Sequence, residues 1–410
     1  MSVTTNAEGL GYPEGSGRYF PMATLTHPAV VNRERSAAIP WYLWCAAVAV
    51  TSVTIGAHWD VSWHRSIGRD TFWTPAHLAI YLCGVLAGIA FGYLILHTTF
   101  ARTPDGTIGA VRVLGFRGPL GAFIAAWGGI AMITSAPFDN WWHSAYGLDV
   151  KIVSPPHTLL MLGIFAVEIG SLFVITSEAN RAGGEVRTFV PLQALLLYIA
   201  GLMLLLAMFF RLEYTWDVLQ HNAGPYISVA MGVPLYYSTI WKASRHKWAC
   251  TWMTAIYMGV MIAIILVLQL FPAEPKLGPV YQPITHFVPP PFPMLLIVPA
   301  VVTDLLWAWI GERNKLVVSA ISGPVFVLSL VAAQWPFADF LMTKAAHNPF
   351  FVAGYVDYSM KPWSYYLLRQ FANPQSGVAL WSGLGLAMVY ATISVWLGLL
   401  LGDWMRKIQR

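Results

Sequence analysis

Long apolar stretches recur along the whole chain and restrict the kinds of fold it can adopt. A helix needs about 20 apolar residues to cross a bilayer, where every backbone polar group must be paired within the protein. Ten stretches approach this length: 41–58, 76–99, 119–137, 157–177, 189–211, 226–241, 250–272, 293–311, 315–335 and 378–402. Only 10% of the residues are charged, against about 25% in soluble domains. The sequence therefore predicts an all-α polytopic membrane protein with about ten transmembrane helices.

Lys and Arg are distributed unevenly between the two sets of loops. Sixteen of the 24 fall near the termini and in one set: Arg18, Arg33, Arg35, Arg102, Arg112, Arg117, Arg181, Arg187, Lys242, Arg245, Lys247, Arg313, Lys315, Arg406, Lys407 and Arg410. The positive-inside rule then predicts that both termini are cytoplasmic, in a bacterial-type inner (cytoplasmic) membrane. Because this bias explains the net charge of +5, no nucleic-acid partner is expected.

The spans pair into five predicted helical hairpins with their connecting loops on the outer face. These loops cover about 59–75, 138–156, 212–225, 273–292 and 336–377. We expect a cytoplasmic N-terminal tail (1–38), which lacks the layout of a signal peptide. A metal-binding transmembrane bundle of three hairpins (39–240) follows, and then further hairpins (241–410) with the long outer loop 336–377, which could fold as an outer cap.

Two of these outer loops carry the same pattern of acids and histidines. The first is DVSWHRSIGRDTFWTPAH (60–77) and the second is DNWWHSAYGLDVKIVSPPH (139–157). The repeated positions are Asp60, His64 and His77 in the first copy and Asp139, His143 and His157 in the second. A carboxylate and two imidazoles at matched spacing, twice, indicate two metal sites rather than histidines that only bond loop backbone.

Local sequence predicts how each copy is built. An acid and a His four residues apart lie on one face of a helix. Thr74-Pro75 and Ser154-Pro155 have the form of an N-cap followed by proline, which makes His77 and His157 each the third residue of the next helix. Three ligands with open positions suit catalytic copper, iron or zinc.

Neighbouring residues have predicted supporting roles. Arg69, Asp70 and Asp149 could orient the His rings. Four tryptophans could form an interfacial belt or a dry pocket wall: Trp63, Trp73, Trp141 and Trp142. Weaker echoes of the pattern occur in the later loops: Asp217 with His221, Glu274 with His286, and Asp339, His347 and Asp357. Cys45, Cys83 and Cys250 fall within or beside apolar stretches and form no CxxC pair, so no thiolate site is expected.

The first motif, followed by Tyr81, resembles the metal-binding motif in the C subunit of the copper membrane monooxygenases (particulate methane, ammonia and short-alkane monooxygenases). Those subunits carry Asp-x3-His-x12-His in this Trp-His, Arg-Asp-Thr and Thr-Pro-x-His context, and Asp60, His64 and His77 match it. The family's second copper site has Asn-x3-His-x13-His, and here Asp139 stands in the Asn position. The resemblance covers residues 40–180, and the rest would be a long C-terminal extension.

The resemblance implies a multi-subunit, O2-activating copper enzyme that hydroxylates a small apolar substrate or ammonia. Asp60, His64 and His77 would bind the catalytic copper, and the second set would bind another copper. Implied partners are the lipid bilayer, an outer-face cupredoxin-like chain and a quinol or other electron donor, in a possible trimer.

Two other functions fit a repeated Asp/His pattern. A membrane metal (Cu/Zn) binding or transport protein would need more polar residues at mid-membrane depth. Few are found there, namely Thr54, Ser135 and Asp304, and Asp304 is taken as the only clear acid. A b-haem electron carrier would need facing His residues within the membrane rather than His clustered with acids at helix ends.

Overall fold

The computed structural model of the chain describes residues 39–101, 109–147, 154–182, 186–211, 219–311, 313–351, 357–361 and 374–409. The stretch Ala37–Arg410 packs as one compact unit. The predicted N-terminal tail, 1–38, lies outside the described residues. The predicted division of the remaining chain at 240 stays a prediction.

Eight helices in the described ranges are long and apolar enough to cross a bilayer. They are α1 (Trp41–Ser66), α2 (Pro75–Phe100), α3 (Leu120–Tyr146), α4 (Pro155–Arg181), α5 (Val186–Phe209), α8 (Ala249–Leu268), α10 (Lys315–Leu341) and α11 (Gly377–Met405). Three shorter helices complete the set: α6 (Ala223–Ala230), α7 (Val233–Ser244) and α9 (Ile297–Ile310). This architecture is that of a helical multi-pass membrane protein.

The sixth and eighth predicted spans are not long helices. The stretch 226–241 is divided between α6 and α7, and Pro234, which has no backbone N–H, stands in the first turn of α7. The stretch 293–311 contains only the 14 residues of α9, because the preceding segment holds Pro289, Pro290, Pro291 and Pro293. Hydropathy detects apolar residues in these segments but not the loss of helical hydrogen bonds.

Helix α3 packs closely between α2 and α4 through glycines. A Cβ placed on Gly128 would lie 2.7 Å from the carbonyl oxygen of Gly163 on α4, and one on Gly129 would lie 2.8 Å from that of Gly84 on α2. Small residues allow membrane helices to approach in this way. The close approach fixes the α1–α2 and α3–α4 hairpins side by side.

Both motifs lie at the same end of the bundle, here called the motif end. It contains the C-terminal ends of α1 and α3 and the N-terminal ends of α2 and α4. The opposite end carries a two-stranded antiparallel hairpin between α2 and α3, β1 (Val111–Val113) and β2 (Phe116–Gly118).

Two loop segments cover the motif end of α1. In the first, the Val288 carbonyl accepts from the Ser62 hydroxyl at 2.6 Å, and the Val288 N–H donates to the Ser66 hydroxyl at 2.7 Å. In the second, the backbone of Tyr358 bonds to that of Tyr281 and Arg65. The segments 272–292 and 357–361 thus cover the end of α1, and the predicted cap of the loop 336–377 stays a prediction because most of that loop after 351 lies outside the described residues.

Candidate metal centres

The first motif places four metal-ligating side chains around one point, here called site one. Asp60 and His64 lie in the last two turns of α1, and His77 is the third residue of α2, as predicted. Asp70 comes from the loop between the helices. This loop is held by Trp63, whose Nε1 donates to the Arg69 carbonyl at 2.8 Å.

The distances in site one are those of converging ligands. His77 Nε2 lies 3.1 Å from Asp60 Oδ1 and 3.4 Å from Asp70 Oδ2. His64 Nε2 lies 3.5 Å from Asp70 Oδ2 and 3.9 Å from Asp60 Oδ2. Ligand atoms bound to one tetrahedral ion at the usual 2.0–2.2 Å stand about 3.4 Å apart. Asp60, Asp70 and His77 form the tightest group, while His64, with a side chain 48% exposed, lies at its edge.

Asp60 provides a second sign that the site suits a cation. Its Oδ1 is buried, yet the 3.1 Å contact with His77 lacks hydrogen-bond geometry. A buried carboxylate oxygen without a hydrogen bond is costly. The ligand atoms of Asp60, Asp70 and His77 all lie within 4.8 Å of one another. The residues present therefore fit a bound metal ion.

The second motif forms site two from the three residues that its spacing predicted. Asp139 lies between two histidines, with Oδ2 at 3.3 Å from His143 Nε2 and Oδ1 at 3.3 Å from His157 Nε2. All three are partly buried and could hold an ion. Oδ1 of Asp139 also has no hydrogen bond, as Oδ1 of Asp60 does not.

Backbone contacts orient the site-two histidines. The Nδ1 atom of His143 donates to the Gly147 carbonyl at 3.4 Å, which leaves Nε2 as the atom with a lone pair for a metal. The Ser154 hydroxyl caps α4 by accepting from the His157 backbone N–H at 3.3 Å. His157 is thus the third helical residue, as predicted. Asp149, the predicted counterpart of Asp70, lies outside the described residues.

Tyr81 on α2 lies close to both sites. Its ring is 6.1 Å from that of His77, centroid to centroid. Its hydroxyl lies within electrostatic range of Asp139 as well as of Asp60 and Asp70. The two sites are therefore neighbours at the motif end.

The weaker repeats form no third cluster of this kind in the described part of the chain. His221 Nε2 instead lies 2.9 Å from Asp339 Oδ1, which joins the third predicted loop to the end of α10. His286 contacts its neighbour Thr285. The predicted partner Asp217 falls outside the described residues.

Among the four tryptophans, Trp73 and Trp141 are exposed, as in an interfacial belt. Trp63 instead supports the site-one loop through its bond to Arg69 and packs on Phe287. None of the three cysteines, all free thiols, belongs to either cluster.

One expectation about membrane-depth acids is wrong. Asp304 is not the only acid within a span, because Glu168 lies in the middle of α4 and is completely buried. The expectation overlooked Glu168, which lies within an otherwise apolar stretch. A lone acid in such a stretch is itself a signal of a functional residue.

No family model, curated protein or solved structure matches this chain.

Proposed function

We propose that this chain is the membrane-embedded copper subunit of an O2-dependent monooxygenase that hydroxylates a small apolar substrate or ammonia. The observation that carries the proposal is the pair of neighbouring Asp–His clusters, each built by one helical hairpin. In both clusters, the histidine nitrogens lie 3.1–3.9 Å from the carboxylate oxygens.

The donor set determines which metals fit. Imidazole and carboxylate without thiolate suit Cu(II), and two His with one carboxylate also suit iron or zinc. When bound, copper would supply the one-electron chemistry that lets O2 react. The resemblance of the first motif to the copper monooxygenases makes copper the proposed metal.

The residues of the chain have distinct roles in this proposal. Asp60, Asp70 and His77 would hold the ion of site one, with the half-exposed His64 as a further ligand at the surface. The exposure of His64 would let O2 and substrate reach the site. Site two would hold a second copper close enough to exchange electrons with the first. Tyr81 lies close to both sites.

The proposed topology follows the charge bias of the loops. Both termini are cytoplasmic, and the motif end faces the periplasmic side. The short helices α6, α7 and α9 complete the arrangement of five hairpins. The proposed assembly contains partner subunits, including an outer-face cupredoxin-like chain, takes electrons from quinol and forms a trimer.

Isotope incorporation tests the proposed reaction. Membranes containing the copper-loaded protein and its partners are supplied with a quinol, a short alkane or ammonia, and 18O2. We expect one labelled oxygen atom in the product and loss of labelling in His77→Ala. Full copper occupancy without labelled product from any small substrate would contradict the proposal.

Metal binding or transport is the second candidate, because the exposure of His64 makes site one accessible from the surface. Uptake of copper or zinc into sealed vesicles would support it if uptake were lost in both His64→Ala and His143→Ala. A monooxygenase subunit would bind metal without moving it across the membrane.

A further inference from the structure

Glu168 is a completely buried acid for which the proposed metal chemistry gives no role. It is the fourteenth of the 27 residues of α4 and lies eleven residues after His157, about 16 Å along the helix. Its side chain is 0% exposed. Neither carboxyl oxygen has a hydrogen-bond partner. An ionised carboxylate without a partner is very costly in such surroundings, so the acid is expected to carry its proton.

Two other acids within helices, Asp304 and Glu178, have clear structural roles. Asp304 accepts from the backbone N–H groups of Cys250 and Thr251 and so caps the start of α8. Glu178, near the end of α4, accepts from Arg181 at 2.7 Å and from Tyr42 at 3.0 Å. Glu168 has no comparable contact, although a partnerless acid at this depth lowers stability. An acid buried in this way within a membrane span therefore points to a function.

The ionisable neighbours of Glu168 come from two helices. Cys83 on α2 and Tyr236 on α7 lie within electrostatic range of its carboxyl group. Arg211, at the end of α5, lies within range of Tyr236, but its guanidinium donates to the carbonyls of Ala207 and Ser228. Among the described residues, no cation forms an ion pair with Glu168 and no donor makes a hydrogen bond to it.

Helices α1 and α4 place Glu168 below site one. The Tyr42–Glu178 contact aligns the two antiparallel helices, which puts Glu168 at about the level of Ser52. Asp60 is then about 12 Å nearer the motif end. Between these levels lies His58, whose Nδ1 donates to the Thr54 carbonyl and whose buried Nε2 has no partner.

Further partnerless polar atoms lie on the other side of Glu168. The hydroxyls of Thr176 and Ser177 on α4 are buried and make no hydrogen bond. They lie about 12 Å beyond Glu168, towards the end opposite the motifs. Buried polar atoms of this kind are the ones that internal water joins. His58 on one side and these hydroxyls on the other are therefore partnerless buried polar positions at levels above and below Glu168.

We infer that Glu168 is a proton-exchanging carboxylic acid that relays protons between the end opposite the motifs and site one. The purpose of the relay rests on the proposed function. When one oxygen atom of O2 enters a C–H or N–H bond, the other leaves as water. That water takes two electrons, here from quinol, and two protons. Glu168 would pass on these protons one at a time and be reprotonated from the opposite end.

Infrared spectroscopy of the whole protein in lipid nanodiscs tests the inference without any assay of activity. We expect the carbonyl band of a protonated carboxylic acid at neutral pH. The band should be lost in Glu168→Gln and kept in Glu274→Gln, the same substitution at an exposed position. In D2O the band should shift within minutes. Absence of the band, or a band that does not exchange in D2O, would overturn the inference.

Turnover provides the second measurement, with metal content as its control. In Glu168→Gln we expect both metal sites to remain loaded while turnover at saturating substrate falls at least about tenfold. The Glu168→Asp variant should keep a carboxylic acid band at a shifted frequency and recover part of the turnover rate. This variant is used instead if Glu168→Gln does not fold. Unchanged turnover with full metal would refute the relay. If wild type hydroxylates nothing, the proposed function fails, and the infrared exchange still decides whether Glu168 exchanges protons.

Discussion

At the scale of single residues, two aspartates hold the candidate centres together. Asp60 lies between His64 and His77, and Asp139 lies between His143 and His157. Each aspartate uses its two oxygens for two different histidines. Neutral histidines would leave the carboxylate charge without compensation. A bound cation would supply it, which is why these aspartates are the centre of the metal hypothesis.

Asp70 should contribute directly to metal affinity at site one. Because its carboxylate lies within 3.5 Å of both histidines, Asp70→Asn removes a charged ligand. We expect the affinity of site one to fall at least about tenfold and that of site two to stay unchanged. Competition with a metal chelator measures both affinities.

Asp339→Asn is the matched control for this prediction. Asp339 also contacts a histidine, His221, but belongs to neither metal cluster. Its substitution should leave both affinities as in wild type. Equal losses in the two variants would mean that Asp70 acts only through the overall charge of the surface.

The residues of the two sites were predictable from sequence to different degrees. Residues four apart on a helix always lie on the same face, so the i,i+4 pairs follow from the spacing alone. The helical positions of His77 and His157 follow from the proline that begins each helix. Asp70 was expected only to orient a ring. Its position depends on how the loop 67–74 folds, and that fold depends on contacts such as Trp63 with Arg69, which no local pattern specifies.

At the scale of elements, the distance between α3 and α4 determines the geometry of site two, because Asp139 and His143 lie on one helix and His157 on the other. Gly128 allows these helices to meet with a would-be Cβ only 2.7 Å from the Gly163 carbonyl. We expect Gly128→Leu to force them apart, at a cost of about 1–3 kcal/mol in stability. Thermal unfolding and metal titration should show lower stability and weaker binding at site two.

Gly92 on α2 is the control position, because a Cβ there meets nothing within 4 Å. Gly92→Leu should leave stability and both metal affinities close to those of wild type. If it weakened site two as much as Gly128→Leu, the effect would not come from the close approach of α3 and α4.

Elements were predicted well over most of the long apolar stretches, including α3 and α10, which contain internal prolines, and less well in the sixth and eighth stretches. The first five spans correspond to α1 to α5, because continuous hydrophobicity and helical hydrogen bonding act together there. In the sixth and eighth spans the residues are apolar enough. The prolines at 234 and 289–293 remove backbone donors, so only short helices form.

At the scale of the whole molecule, the parts are joined by contacts between residues far apart in the chain. The segments 272–292 and 357–361 cover the end of α1, and His221 meets Asp339. The sequence repeat could not predict these contacts, because it relates each loop only to the matching loop of another hairpin. The motif decays after the second hairpin, and in the described parts of the later loops His221 and His286 make other contacts without forming a third cluster.

The proposed orientation of the molecule is open to labelling in intact cells. Trp73, at the motif end, is 71% exposed, and Leu114, in the β-hairpin at the other end, is 80% exposed. A membrane-impermeant maleimide should label Trp73→Cys from outside and Leu114→Cys only after lysis. The reverse pattern would place the motif end in the cytoplasm and contradict the topology.

The claim that the two motifs form separate metal centres is tested most directly by metal analysis of the purified protein. Copper per chain is measured by mass spectrometry in wild type, in His77→Ala, in His157→Ala and in the double variant. The account predicts two bound ions in wild type, one in each single variant and none in the double variant. A wild-type protein that holds no metal after copper loading, or a double variant that retains both ions, would contradict it.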